Sequence, residues 1–239
     1  MKNNQTFLNH LLALRKVLII SCLAVVVGFL IIFIGFSEQL LIMLSRPLLD
    51  MDVDIINTGL AEVFFTQIQV SFIAGFILAS PIVFWQIWAF LKPALYPNER
   101  TKFRLTFITI LILFVTGALF GYLLVFNITI NFFLITGYGI ATPMISIDRY
   151  ISMLFNFVLP FGLVFQLPVI INILSRLGIV NTQKLVKIRK YVIFANFVLA
   201  AVLTPPDLLS QIMLGVPMCI LYEIGIIMSR FTKQQAKEE

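Results

Sequence analysis

Hydrophobic residues in this chain of 239 residues fall into repeated blocks, and short polar connections separate one block from the next. A helix that crosses a bilayer needs about 20 consecutive apolar residues, which is the length of most of these blocks. The alternating segments of a membrane β-barrel are absent from the sequence. The pattern predicts one all-α, polytopic membrane domain over residues 1–239. Its six predicted transmembrane helices occupy approximately residues 17–36, 64–91, 105–126, 150–174, 190–203 and 208–228.

The composition agrees with a membrane protein. Hydrophobic residues make up 60% of the chain and charged residues 12%, whereas about a quarter of a soluble domain is charged. The mean hydropathy is +1.03. No small-residue cleavage site follows the first apolar block, so we expect a retained helix there rather than a cleaved signal peptide.

Basic residues concentrate on one side of the predicted membrane. An even number of spans places both termini on the same side, together with fifteen of the 17 lysines and arginines. Only Arg46 and Arg149 fall on the other side. Since basic connections stay in the cytoplasm, we expect an N-in, C-in topology. This orientation explains the net charge of +6 without a nucleic-acid partner.

The first loop on the far side, at about residues 37–62, is long enough to hold a short helix over the membrane surface, beginning at Ser37. Pro47 and the acidic run at residues 50–54 are expected to break regular structure after it. We interpret the acidic run as a solvated loop face. Cation binding is a weaker alternative, because the loop lacks the glycine that a calcium loop needs at its turn.

Two prolines in predicted span four affect its shape. Pro160 and Pro168 each remove a backbone donor, so the helix should bend. Gln166 lies between them, near the membrane midplane. A buried amide at this depth needs a polar partner, so Gln166 either forms a helix–helix hydrogen bond or faces a translocated substrate.

Predicted span five is short. Only residues 191–203 separate Lys190 from the turn at residues 204–206, and they extend about 20 Å against a hydrocarbon core of about 30 Å. Either the helix begins earlier, with Lys187 and Lys190 reaching to the interface, or the bilayer is thinner around the short spans five and six. Asp207 follows the two prolines of the turn and is placed to cap span six.

Glu223 lies in span six, about 10 Å inside the cytoplasmic boundary. Carboxylates inside a membrane are usually functional. The alternatives are that Glu223 reaches to the interface or pairs with a cytoplasmic lysine or arginine.

The stretch at residues 80–104 closes span two and enters a basic cytoplasmic loop. Trp85, Trp88 and Tyr96 resemble an aromatic belt at the membrane interface. Glu99 is the only acid among the basic residues of this loop. It either forms a surface salt bridge with a neighbour or accepts a cationic guest.

The sequence offers little for catalysis, metal binding or a cofactor. His10 is the only histidine and has no acid or second ligand at a suitable spacing. Cys22 and Cys219 lie inside apolar blocks without metal-ligand spacing and are interpreted as packing residues. We therefore predict neither an enzyme nor a metal site.

Several motifs together resemble the TatC family, the multi-spanning receptor subunits of the twin-arginine protein translocase. The motifs are NHLLALRK at residues 9–16, SPIVFWQIWAFLKPALYPNER at 80–100, GALFGY at 117–122, FGLVFQLP at 161–168, LTPPDLLSQ at 203–211 and GVPMCILYEIGI at 215–226. Their order and spacing cover nearly the whole chain. Two positions depart from the family pattern, because Ala13 and Gln166 stand where the family usually or often has glutamate.

The resemblance implies a receptor that binds twin-arginine signal peptides of folded proteins at the cytoplasmic face. It further implies recruitment of single-span TatA- and TatB-type subunits, assembly of several copies, and export driven by the proton-motive force. The location would be the bacterial cytoplasmic membrane or the inner membrane of a bacterium-derived organelle.

The resemblance also assigns roles to individual residues. Glu99 would pair with a signal-peptide arginine, and Phe90 and Pro93 would shape the adjoining groove. Leu14 and Arg15 would line its other side. Four further positions are interpreted as structural or translocation residues, namely Pro47, Gln166, Asp207 and Glu223. The competing hypothesis is a small secondary transporter or channel that uses Gln166 and Glu223 as its polar pathway.

Overall fold

The computed structural model of the chain describes the backbone of residues 2–49, 53–95, 100–137, 144–203 and 208–238. It describes side chains at residues 12–49, 53–90, 104–136, 144–203 and 208–230. These residues form two compact units, one made of residues 1–107 and 144–151, the other of residues 108–143 and 152–239.

The described elements are mostly helical. In chain order they are α1 (Lys2–Gly35), α2 (Ser37–Leu49), β1 (Asp54–Ile56), α3 (Glu62–Leu95), α4 (Arg100–Phe120), a π-helical turn (Gly121–Phe126), α5 (Asn127–Gly137), β2 (Met144–Ser146), α6 (Ile147–Val164), α7 (Leu167–Arg176), α8 (Thr182–Leu203) and α9 (Leu208–Glu238). Five helical stretches within the described residues are long and apolar enough to cross a membrane. They coincide with predicted spans one, two, three, four and six.

The remaining predicted span, at residues 190–203, lies within α8. This helix begins at Thr182, before the predicted start, so it is about 33 Å long as a whole. Of the two explanations for the short apolar segment, an earlier helix start or a thinner bilayer, the structure shows the earlier start. The lysines of its first half then precede the apolar part at residues 191–203 within the same helix.

In the first unit, α1 and α3 pack against each other along much of their length and run antiparallel. The ring centroids of Phe29 and Phe72 lie 6.5 Å apart, and those of Phe33 and Phe64 lie 6.3 Å apart. A later residue in α1 therefore meets an earlier residue in α3. The two helices are joined by apolar side chains at these positions.

Glycines let the backbones of α1 and α3 approach closely. A Cβ atom added at Gly28 would lie 2.5 Å from the carbonyl oxygen of Gly75. A Cβ added at Gly75 would lie 2.5 Å from the backbone nitrogen of Phe29. Small residues at such crossings permit the close van der Waals packing that joins helices inside a membrane.

The far-side loop of the first unit is more ordered than the sequence predicts. β1 pairs in parallel with β2, with Ile55 opposite Ile145. The prediction that Pro47 ends regular structure was wrong, because α2 continues to Leu49. The last turn is held by packing, since Leu48 is fully buried. Tyr150 adds a hydrogen bond from its hydroxyl to the carbonyl of Leu44 over 3.0 Å.

In the second unit, the predicted bend of span four is confirmed as an interruption between α6 and α7. Pro160 stays inside α6, whereas Pro168 stands in the first turn of α7, where its missing donor is tolerated. The backbone N–H of Gln166 donates to the carbonyl of Leu163 over 3.0 Å, which closes the tighter turn at the interruption.

The π-helical turn was not predicted. It begins at the last two residues of the GALFGY motif, whose two glycines contact α6. A Cβ added at Gly117 would lie 2.6 Å from the carbonyl oxygen of Phe161, and one at Gly121 would lie 3.1 Å from that of Phe157. The motif thus supplies close helix packing in this unit, which explains its small residues.

Candidate functional site

The antiparallel pairing of α1 and α3 brings predicted groove residues to one end of the helix pair. Leu14 lies fourteen residues before Gly28 in α1, and Phe90 lies fifteen residues after Gly75 in α3. Both positions are therefore about 21–22 Å from the glycine contact, in the same direction. Leu14 is exposed, as is Arg15, and Phe90 is partly buried. This end of the pair carries an apolar surface beside a cation.

For three of the predicted site residues the structure describes no side chain. Pro93 lies within α3, in its last turns, where the backbone is described and the side chains are not. Glu99 and Asp207 lie outside the described residues.

The two described tryptophans of the predicted aromatic belt differ in exposure. Trp85 is 44% exposed and meets Phe107 edge to face, with ring centroids 4.9 Å apart. Trp88 is 1% exposed, so it belongs to the core and the interface prediction for it was wrong. The side of α3 that carries Trp88 therefore faces the protein interior. Tyr96 lies outside the described residues.

Glu62 is a polar centre that the sequence interpretation missed. Its Oε2 accepts hydrogen bonds from the backbone and hydroxyl of Thr58, at 2.5 and 2.7 Å, and from Gly59 N at 3.0 Å. Its Oε1 accepts from the hydroxyl of Ser146 and from Asp148 N at 3.3 Å. Glu62 stands ahead of predicted span two, in the far-side loop.

These contacts give Glu62 a structural role within the first unit. Through these hydrogen bonds the carboxylate links the start of α3 to Thr58 and Gly59, which follow β1, and to Ser146 at the end of β2. A shallow cleft of about 470 Å³ lies beside it, lined by Ile56, Thr58, Met144, Ile145, Ser146 and Arg149. No signal in the sequence joins Glu62 to Ser146, because the two residues are 84 positions apart.

Gln166 forms a helix–helix hydrogen bond. The residue is 6% exposed, and its Nε2 donates to the backbone carbonyl of Ile110 in α4 over 3.2 Å. A longer contact of 3.5 Å joins the same nitrogen to the carbonyl of Gly162. Of the two alternatives left open for Gln166, the structure shows the one that links helices.

Glu223 pairs with a basic residue of α8. Arg189 Nη2 donates to Glu223 Oε2 over 2.9 Å, and Arg189 Nε lies 2.7 Å from Glu223 Oε1 without the alignment of a hydrogen bond. Both side chains are about two-fifths exposed. The pairing alternative for Glu223 is therefore confirmed within the described residues.

Further polar contacts follow the α8–α9 interface from this pair toward the start of α8. The Tyr222 hydroxyl donates to the carbonyl of Leu185 over 2.9 Å, and the hydroxyls of Thr182 and Ser229 lie 3.0 Å apart. Together with the Arg189–Glu223 pair, these contacts hold the first half of α8 against α9.

Exchanging Arg189 and Glu223 should test the ion pair. Glu223→Ala or Arg189→Ala is expected to lower the free energy of unfolding by about 1 kcal/mol or less, because a half-exposed pair contributes little. The exchange Arg189→Glu with Glu223→Arg should restore most of the loss. The measurement is thermal unfolding of the purified protein in detergent. A double variant that is less stable than both single variants would contradict the pair's contribution.

Among the residues that the structure describes, no group of three or more His, Cys, Asp or Glu side chains could hold a metal ion. Cys22 and Cys219 are both free thiols. Cys219 is partly buried, and its sulfur lies 3.8 Å from Asn196 Nδ2, which agrees with its interpretation as a packing residue. Cys22 is exposed, so the structure does not support the same interpretation for it.

Residues 9–217 match the family model described as Sec-independent protein translocase protein (TatC). The chain belongs to the TatC family. It is 45% identical over 230 residues to the Sec-independent protein translocase protein TatC of Carboxydothermus hydrogenoformans, and the alignment covers 95% of this chain and 94% of that protein. The corresponding protein of Escherichia coli is 36% identical, with 96% and 90% covered.

The solved structures agree with the TatC assignment. The crystal structure of a protein described as twin arginine translocase receptor TatC superposes with a TM-score of 0.86 at 35% identity, and covers 94% of this chain and 99% of its own. The family places the chain in the twin-arginine translocase, as a multi-pass protein of the bacterial cytoplasmic membrane. Its function class is protein transport.

Proposed function

We propose that this chain is the receptor subunit of its translocase and binds twin-arginine signal peptides of folded proteins at the cytoplasmic face. The observation that supports the proposal best is the position of Leu14 and Phe90, at the same end of the α1–α3 pair. From that end, α3 continues through Pro93 to Leu95, and Glu99 follows four residues later in the sequence.

The proposed contact explains a preference for arginine. A carboxylate receives a guanidinium through two parallel hydrogen bonds, and the ammonium of lysine does not reproduce that geometry. Glu99 supplies the carboxylate, and the exposed Leu14 and partly buried Phe90 supply apolar surface for the rest of the peptide. Arg15 and the basic residues of the loop discourage further cations from binding nearby, which leaves one acceptor for the guest.

The proposed partners follow from the same assignment. Single-span TatA- and TatB-type subunits would join the receptor after the signal peptide binds, and several copies would assemble in the membrane to export folded cargo with the proton-motive force. Gln166 has no titratable proton and its amide already bonds Ile110. Any proton-coupled step in this chain would therefore use a different position.

The competing hypothesis of a small transporter or channel has less support. It requires Gln166 and Glu223 along a polar pathway. Each of these side chains instead bonds a neighbouring helix, Gln166 through Ile110 and Glu223 through Arg189.

Photo-crosslinking tests the proposed groove. A photoreactive amino acid in place of Leu14 or Phe90 should label a twin-arginine precursor, and excess unlabelled signal peptide should remove the label. Ile34 and Phe65 are matched control positions, because they are 81% and 63% exposed at the opposite end of the same helix pair. Equal labelling from the control positions, or none from Leu14 and Phe90, would contradict the groove.

A further inference from the structure

The first half of α8 carries lysines on one exposed face. Lys184, Lys187 and Lys190 are exposed and stand three residues apart. On a helix with 3.6 residues per turn this spacing places them in one row, about 4.5 Å apart along the axis. We refer to these three residues as the lysine row.

The positive charge of the lysine row is not neutralised within the described part of the chain. The ion pair between α8 and α9 there joins Arg189 to Glu223, and no described carboxylate contacts the three lysines. Arg189 points to the α9 side of the helix, whereas the lysine row lies on the outer side. Its charge is therefore available to an external anion.

The outer face of α8 continues from the lysine row into exposed apolar side chains. Tyr191, Phe194, Val198 and Val202 follow at intervals of three or four residues, so they extend the same face along the helix. They are 64%, 72%, 46% and 77% exposed. The ammonium of Lys190 lies 5.1 Å from the centre of the Tyr191 ring, which marks the boundary between the charged and apolar parts.

We propose that this face of α8 binds an anionic phospholipid. The phosphate lies against the lysine row, and an acyl chain follows Phe194, Val198 and Val202 into the membrane. On this face three cations stand directly above exposed aromatic and branched side chains. This arrangement is complementary to an anionic phospholipid, because the cations can bind its charged headgroup and the apolar surface can contact its acyl chain.

The affinity should depend on the number of lysines. Each lysine near an anionic membrane surface contributes roughly a fivefold preference for the anionic lipid. Phe194 should contribute through its contact with the acyl chain and not through charge.

The test uses the full chain in nanodiscs that contain equal amounts of phosphatidylcholine and phosphatidylglycerol. A trace of one of the two lipids carries a photoreactive group in its acyl chain, and labelled peptides are identified by mass spectrometry. We expect phosphatidylglycerol to label the peptide at residues 191–203 at least about fivefold more than phosphatidylcholine does. Equal labelling by the two lipids in the unchanged protein would overturn the proposal.

Variants separate charge from other effects. Lys184→Gln with Lys187→Gln and Lys190→Gln should remove the preference, and the three corresponding changes to Arg should retain it. Lys2→Gln with Lys233→Gln and Lys237→Gln removes the same charge elsewhere on the cytoplasmic side and should leave the preference unchanged. Retained preference in the first variant, or its loss in the last, would overturn the assignment to α8.

Inorganic phosphate separates a lipid from a soluble anion. If a phospholipid occupies the face through both headgroup and tail, inorganic phosphate at matched ionic strength should not displace it. Displacement by inorganic phosphate, or by a TatA-type helix without any change in lipid composition, would show a different occupant and overturn the proposal.

Discussion

Replacing Glu99 by Gln is expected to abolish the export of folded proteins that carry a twin-arginine signal peptide, while the protein still accumulates in the membrane. Glutamine retains the shape of glutamate but loses the charge that two parallel guanidinium hydrogen bonds require. Each charge-assisted hydrogen bond contributes about 1.5–3 kcal/mol, so the loss of even one weakens binding by about tenfold or more. The measurement is the exported fraction of a folded reporter in host cells that lack their own receptor.

The matched control is Glu38→Gln. Glu38 is an exposed acid in α2, on the predicted far side of the membrane, and its replacement removes the same charge. Export should remain normal in that variant. Normal export with Glu99→Gln would refute the role assigned to Glu99, whereas loss of export in both variants would indicate a general effect of charge.

Gly28→Ala is expected to destabilise the protein by separating α1 from α3. The new methyl group would lie 2.5 Å from the carbonyl oxygen of Gly75, so one of the two backbones must move. Overpacking of this kind costs about 1–3 kcal/mol, which corresponds to a fall of about 2–12 °C in the unfolding midpoint. Thermal unfolding in detergent, followed by fluorescence-detected size exclusion, measures the change.

Gly35→Ala provides the control on the same helix. No heavy atom outside the local backbone lies within 4 Å of a Cβ added at Gly35. Because alanine is the better helix former, this variant should be as stable as the unchanged protein or slightly more stable. Equal midpoints for the Gly28 and Gly35 variants would show that the glycine contact is not needed for packing.

The helices of this chain could be predicted because apolar length and proline positions are local signals. Five predicted spans coincide with helices that are long and apolar enough to cross a membrane. The interruption near Gln166 follows from Pro168, whose missing donor is visible in the sequence. Resemblance to a known family then supplied the function, which the local signals alone did not.

The features that escaped prediction depend on contacts between distant residues. Glu62 accepts hydrogen bonds from Ser146 and Asp148, which are more than 80 positions away in the chain. Pairing of β1 with β2 involves three residues in each strand, too few for a periodic pattern. Helix α2 passes Pro47 because Leu48 is buried, and burial is decided by tertiary packing.

Two alternatives needed the structure for a decision. The sequence placed Gln166 and Glu223 inside the membrane and left open whether they bond protein or serve a pathway. Their partners, Ile110 and Arg189, stand 56 and 34 positions away in the chain. Contacts between residues so far apart in the chain depend on how the helices pack, and no local pattern in the sequence predicts them.

Peptide affinity is the most direct test of the arginine receptor. The purified protein in nanodiscs should bind a twin-arginine signal peptide at least about tenfold more tightly than its twin-lysine version. The Glu99→Gln variant should bind both peptides equally and weakly. Equal affinities in the unchanged protein, or an arginine preference that survives the loss of the Glu99 carboxylate, would contradict the account.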